Sequence, residues 1–159
     1  MPESTGTVSI VDIDVAEERL RPRLLALVFC DFASFTKDDK VNLLGVFDRI
    51  FVDPEERQSP PFIMYVRVAE ALEGLTHTIF GPTNQPILQA VLGPPDEIKE
   101  RVGNRPQQVQ ALIALQFKVE VEGVFWFDIS HKGKSLGGAA LTVEYRKTED
   151  KQGGTDTYV

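Results

Sequence analysis

The sequence is poor in the residues from which disulfide frameworks and metal centres are built. It contains one cysteine, Cys30, and two histidines, His77 and His131. A single cysteine forms neither an internal disulfide nor a cysteine zinc site. Because Cys30 ends an apolar run, we expect it to be a buried small hydrophobe. The histidines share no ligand spacing with acidic residues, so we expect each to be exposed or hydrogen-bonded locally, and we predict no metal and no cofactor.

The sequence also lacks an excess of positive charge and any long apolar run. It has 24 acidic and 17 basic residues, a net charge of −7 and a pI of about 4.9. This balance disfavours binding to nucleic-acid phosphates and to anionic membranes. No segment approaches the roughly 18 apolar residues of a membrane span, and the first residues lack the pattern of a secretion signal. We therefore expect a cytoplasmic protein that binds neither nucleic acid nor membrane.

The rest of the sequence consists mainly of short segments of alternating apolar and polar residues, separated by turn residues. The clearest runs from Leu115 to Tyr145. Residues 24–32 read as a strand that is apolar on both faces, and residues 41–52 as a strand with a bulge at Gly45. About eight such strands predict an all-β protein, a two-sheet antiparallel β-sandwich of immunoglobulin-like architecture with at most one short helix.

The predicted sandwich has a polar segment at each end. We predict a flexible or loosely docked arm over residues 1–22, the β-sandwich domain over 23–147 and a disordered tail over 148–159. Residues 93–106, which are charged and contain prolines, are predicted to form a loop.

One hairpin register follows from matching apolar faces. A three-residue loop over 121–123 sets Val119 against Phe125 and Phe117 against Phe127, with Gly123 in the position that favours a left-handed backbone. Every inward pair is then apolar.

This register places the one tryptophan, Trp126, outside the core. It would lie across from Lys118 and beside Glu120, where a cation–π contact is worth about 0.5–1 kcal/mol. Either a loop or the N-terminal arm covers Trp126, or Trp126 belongs to a surface for binding or oligomer formation. Tyr65 and Phe35 are candidates for further aromatic binding surfaces.

The next turn decides how apolar the Trp126 side is. We predict a two-residue loop at Lys132 and Gly133, which aligns Ile129 with Leu136. A bulge at Gly137-Gly138 would then return Leu141, Val143 and Tyr145 to the core. Without the bulge, the Trp126 side would become a broad apolar patch and a partner interface.

Two aspartates interrupt or end apolar strands. Asp31 and Asp48 would approach one another if their strands pair, and paired carboxylates can perform acid–base chemistry. Aspartates at such positions more often accept backbone hydrogen bonds at strand ends and turns.

The same region carries a resemblance to a known family. The pair Cys30-Asp31 is followed by Lys40-Val41-Asn42-Leu43-Leu44-Gly45-Val46-Phe47-Asp48, and later by aromatic strands with glycine turns at Gly123 and Gly133. This pattern, from about Leu24 to Tyr145, resembles a small bacterial family of uncharacterised proteins with a Cys-Asp pair and a Lys-x-Asn-Leu-x-Gly-x-Phe-Asp signature. The resemblance implies a compact β-sandwich and no established activity.

Three functions are open at this point. The first is a non-enzymatic module that binds another protein or itself, with Trp126, Lys118, Glu120 and Tyr65 as candidate binding residues. The second is a carbohydrate-binding module built on Trp126, because aromatic rings suit sugar faces. The third is a hydrolase that uses Asp31 and Asp48.

Overall fold

The computed structural model describes residues 21–38, 40–70, 74–92 and 108–147. Nine strands lie in this part of the chain: β1 (Arg23–Phe35), β2 (Val41–Phe47), β3 (Arg49–Val52), β4 (Phe62–Ala69), β5 (Leu75–Phe80), β6 (Pro86–Leu92), β7 (Gln108–Leu115), β8 (Gly123–His131) and β9 (Lys134–Tyr145). The described residues contain no helix, and hence none that could span a membrane. All but the last two residues of the predicted arm, the whole tail and the whole 93–106 loop lie outside the described residues.

The strands form two sheets that pack face to face. One has four strands in the order β2-β1-β4-β7, and the other has five in the order β3-β9-β8-β5-β6. All pairs are antiparallel except β3 with β9, which is parallel. The predicted all-β sandwich of immunoglobulin-like architecture is therefore confirmed, with nine strands rather than eight and one parallel pair.

The core lies between the sheets and is rich in phenylalanine. Alternate residues of β4 (Phe62, Met64, Val66 and Val68) face residues of β8 such as Phe127. Six rings meet with centroids 4.7 to 6.4 Å apart, namely Phe29, Phe47, Phe62, Phe117, Phe125 and Phe127. Most of these pairs are edge-on and the Phe29–Phe47 pair is stacked, which are the arrangements that aromatic pairs prefer.

The predicted hairpin at 121–123 is wrong. Strand β8 pairs with β5 and β9, so Phe125 lies opposite Leu141, whereas β7 belongs to the other sheet. Residues 116–122 cross between the sheets: the Phe117 N–H donates to Ser59 Oγ and the Ser59 N–H donates to the Phe117 carbonyl, both at 2.9 Å. Phe117 and Val119 do face the core, so the apolar pattern predicted their side but not their neighbours.

The predicted strand over 41–52 is in fact two strands in different sheets. The break falls at Asp48, after which β3 joins β9 and buries Ile50 and Val52. Gly45 lies within β2 at a φ of +66°, in a ladder without a register shift, so the bulge predicted there is also wrong.

The second predicted turn is confirmed. Lys132 and Gly133 have φ angles of +48° and +82°, as a two-residue hairpin loop requires. The register shifts between the pairs Ser130–Ser135 and Ile129–Gly137. The extra residue is therefore Leu136, one position before the predicted bulge, and Ile129 is not aligned with it. The shift has the predicted effect, because Leu141 and Val143 are fully buried.

Candidate interaction surfaces

The outward side of the four-stranded sheet is apolar where β1 meets β2. Cross-strand pairs place Phe32 beside Leu44 and Cys30 between Val46 and Ile63, on the side opposite the core. Phe32, Leu44 and Val46 expose 53%, 61% and 62% of their surface. We call the outward side chains of Val28, Cys30, Phe32, Leu44, Val46 and Ile63 the β1–β2 surface. Sheets that are apolar on both faces normally have both faces covered.

Two residues of this outer side are themselves buried. Cys30 is fully buried, as predicted, and burial raises the pKa of its thiol. The Asp31 carboxylate raises this pKa further, and a backbone hydrogen bond involving Phe32 opposes both effects. Tyr65 is also buried and donates its hydroxyl to Gln110 Oε1 at 2.9 Å. Tyr65 therefore offers no exposed ring for stacking.

The two aspartates of the signature have different surroundings. The ladder sets Asp31 opposite Gly45, and a Cβ at residue 45 would collide with the Asp31 carboxylate. The positive φ favours glycine at this position, and any larger residue would also force the Asp31 side chain to move. Asp48 follows Phe47, three positions beyond Gly45, or about 10 Å along the strand. Both aspartates are exposed, but the register does not set them side by side.

A second candidate surface surrounds Trp126 on the five-stranded sheet. Trp126 points away from the core with 42% of its surface exposed, between Phe80 on β5 and Ala140 on β9. Exposed Val124 precedes it on the same face. We call Phe80, Val124, Trp126, Asp128 and Ala140 the Trp126 surface.

The indole of Trp126 is fixed by its own chain. Its Nε1–H donates to Asp128 Oδ1 at 3.4 Å, and that carboxylate also accepts the Ser135 hydroxyl at 2.6 Å. A Cβ at Gly138 would lie 3.0 Å from the indole and would collide with the Phe127 carbonyl, so a glycine is needed beneath the ring. The result is a rigid aromatic platform with an acid at its rim.

The other predicted binding residues do not join this platform. Because the hairpin is absent, Lys118 is not across from Trp126. Its ammonium lies 3.6 Å from Glu120, and both side chains are largely exposed. They line a cleft of about 450 Å³ at one end of the sandwich with Pro82 and Val121. Tyr65 and the exposed Phe35 belong to the four-stranded sheet, so the aromatic cluster proposed around Trp126 does not assemble.

The remaining residues of the signature and its turns have structural surroundings. Asn42 is exposed in β2 opposite Ser34. Gly123 has a φ of +147°, and a Cβ there would press against the Pro82 ring. Among the described residues, no three His, Cys, Asp or Glu side chains are grouped closely enough to hold a metal ion.

His77 corrects the expectation of an exposed or hydrogen-bonded histidine. It lies on the core side of β5, only 2% exposed, with Ala90 and Ile129 as its cross-strand neighbours. Neither ring nitrogen has a hydrogen-bond partner among the residues that the structure describes. Burial lowers the pKa of the imidazole, so the neutral ring is favoured.

Sequence reasoning missed the β1–β2 surface, although the signal was present. The apolar run within residues 24–32 predicts a strand with two apolar faces, and such a strand needs a covering layer on its outer face as well as on its core face. Strand β2 carries a second signal, because its seven residues include no charge.

The two packed sheets form an all-β sandwich of immunoglobulin-like architecture. Over residues 25–144 the sequence matches the family of unknown function DUF6941, and the chain belongs to this family. The match covers nearly the same region as the resemblance found in the sequence, and the expected membership of a family of unknown function is confirmed. Among solved structures, the chain is similar to an immunoglobulin-like protein from Pseudomonas aeruginosa, with 14% identity, coverage of 78% of this chain and 97% of that chain, and a TM-score of 0.43. No curated protein matches the chain.

Proposed function

We propose that this protein is a non-catalytic interaction module that binds another protein, or a second copy of itself, through the β1–β2 surface. The observation that carries the proposal is the exposure of Phe32, Leu44 and Val46 side by side on an ordered sheet. Single exposed apolar residues are ordinary, whereas contiguous apolar patches mark interaction sites. Covering such side chains contributes roughly 25 cal/mol for each Å² of apolar surface removed from water.

The chemistry expected of the partner follows from the surface. Its centre contains aliphatic and aromatic side chains, with Asn42 near one edge. We expect a partner that presents an apolar sheet or helix face, with polar contacts confined to the rim.

The test compares what the full-length chain captures from a lysate of its source cells. We expect Phe32→Ser to lose the captured protein. The matched control is Val91→Ser, because Val91 is 82% exposed on β6 of the other sheet. Unchanged thermal unfolding of each variant shows that folding is intact. Capture of the same proteins by both variants and by the wild-type chain would refute the proposal.

The Trp126 surface supports a second candidate, a carbohydrate-binding module. A fixed, half-exposed indole with a carboxylate at its rim suits the apolar face and the hydroxyls of a sugar. Saturable binding to a glycan array that Trp126→Ala abolishes and Phe32→Ser leaves intact would favour this function over the first.

A further inference from the structure

We infer that two copies of this chain associate along the border of the β1–β2 surface, where strand β2 of each copy pairs antiparallel with β2 of the other about a two-fold axis at Leu44. The inference rests on the proposed function, since β2 forms one border of that surface. The dimer would join two four-stranded sheets into one continuous sheet, with the apolar residues of both copies on the same outer face.

The edge of β2 lacks the features that normally prevent strand pairing. Among the described residues, β2 has a partner strand on one side alone, which is β1. Natural edge strands are protected by charges, prolines, bulges or short length. The sequence from Val41 to Phe47 has neither charge nor proline, and six of its seven residues pair with β1 without a register shift. Its one irregular position is Gly45, with a φ of +66°.

The other edges are less suited to symmetric pairing. β3 has four residues, and its Arg49 lies 3.6 Å from Glu144. β6 begins at Pro86, which has no N–H to donate. β7 is uncharged, but within the described residues it offers no pair of opposite charges that a two-fold axis would bring together.

Charge complementarity selects the register. A two-fold axis at Leu44 sets Val41 against Phe47 and Asn42 against Val46 of the other copy. One position further out, Lys40 of each copy meets Asp48 of the other, and both residues are exposed. Shifting the axis to residue 43 sets Lys40 against Val46, and shifting it to residue 45 sets Lys40 against Ile50. Both ion pairs are lost in either case.

The absence of charge within β2 also suits the association of two acidic chains. Each copy carries a net charge of −7, so two copies repel each other wherever their acidic residues approach. The contact centred on Leu44 brings together seven uncharged residues from each copy, with one attractive pair at each end.

The first test uses charge reversal in the full chain. In Lys40→Glu, two carboxylates face each other at both ends of the interface, and in Asp48→Lys two ammonium groups do. We expect each variant alone to weaken self-association about tenfold or more, as measured by sedimentation across a range of concentrations at low salt. An equimolar mixture of the two restores both opposite-charge pairs, so we expect the mixture to dimerise as the wild-type chain does.

The second test uses a cysteine on the axis. Leu44→Cys would face its own copy at a Cα separation of about 4.5 to 5.5 Å, within the reach of a disulfide. Val46→Cys is the matched control, with almost the same exposure on the same face, but its copy would lie roughly 13 Å away along the strands. The native Cys30 is buried and does not compete. We expect oxidation to cross-link the first variant and not the second.

Three results would overturn the inference. They are a wild-type chain that stays monomeric at every concentration, charge variants that dimerise as well as the wild type, or cross-linking that is equal at residues 44 and 46. The proposed function is tested separately. If the chain is monomeric but Phe32→Ser still loses a captured protein, the surface binds a different partner, whereas failure of both tests removes the proposed function as well.

Discussion

The unpartnered imidazole of His77 yields a prediction about stability. The ring faces the core and is 2% exposed, and within the described part of the chain neither nitrogen has a hydrogen-bond partner. Leaving such a polar group buried costs about 1–3 kcal/mol. Leucine has a similar volume and no polar atom, and a hydrophobic substitution of similar size costs less than about 1.5 kcal/mol in packing. We therefore expect His77→Leu to raise the free energy of unfolding by about 1–2 kcal/mol at neutral pH.

The same residue predicts how stability changes with pH. The folded state lowers the pKa of His77 below its ordinary value of 6.5, and the cause is burial. Below pH 6.5 the unfolded chain binds a proton that the folded chain does not bind, so stability is highest above this pH and falls as the pH decreases towards the folded pKa. The slope reaches at most about 1.4 kcal/mol per pH unit for one proton.

Urea unfolding between pH 5 and pH 8, followed by Trp126 fluorescence, measures both effects. We expect the free energy of unfolding of the wild-type chain to fall below pH 6.5. In His77→Leu we expect the dependence on pH to be smaller by the contribution of one proton. The control variant is His131→Gln, which changes the other histidine at the β8–β9 turn. A slope that persists in His77→Leu, or that disappears only in His131→Gln, would refute the assignment. Destabilisation by His77→Leu at neutral pH would show that the ring packs better than its missing hydrogen bonds suggest.

Three further predictions concern single side chains. Gly45→Ala should destabilise the protein by about 1–3 kcal/mol in thermal or urea unfolding, because of the positive φ at this residue and the contact with Asp31. The double variant Gly45→Ala with Asp31→Ala should recover the part of this loss that the contact causes. The Cys30 thiol should react with a thiol reagent only at the rate at which the chain opens, since it is buried with a raised pKa, and rapid labelling of the native protein would contradict this. Trp126 should emit between the maxima of buried and water-exposed indole, without a shift on concentration, and a shift would place the self-association on the Trp126 surface.

Alternation in the sequence predicts which side a residue faces but not which strand lies beside it. Phe117 and Val119 were assigned correctly to the core and Trp126 to the outside. Their pairing was wrong because two sheets enclose one core, and an inward residue on either sheet satisfies the same pattern. The connection over 116–122 is held by Ser59, nearly sixty residues earlier, and local sequence carries no trace of that contact.

Turn chemistry is more reliable because it is local. Lys132-Gly133 formed the predicted loop, and the shift at Leu136 lies one residue from its predicted place. The break at Asp48 was missed because nothing in the residues themselves distinguishes a bent strand from a strand that changes sheets. His77 was missed for a related reason, since its burial depends on Ile129 and Ala90 beside it.

The two candidate surfaces differ in how far the chain itself supplies contacts to their side chains. The indole of Trp126 rests over Gly138 and has a hydrogen-bond acceptor in Asp128, so its polar atom is satisfied within the chain. Phe32 and Leu44 have neighbours within their own sheet but no opposing layer among the described residues, and the water around them is displaced only when something else docks there. Burial of Phe32, Leu44 and Val46 is therefore a gain that the described part of the chain leaves unrealised. The uncharged strand at its border offers backbone groups to the same partner, which is why we place the binding function on β1 and β2 rather than on the tryptophan.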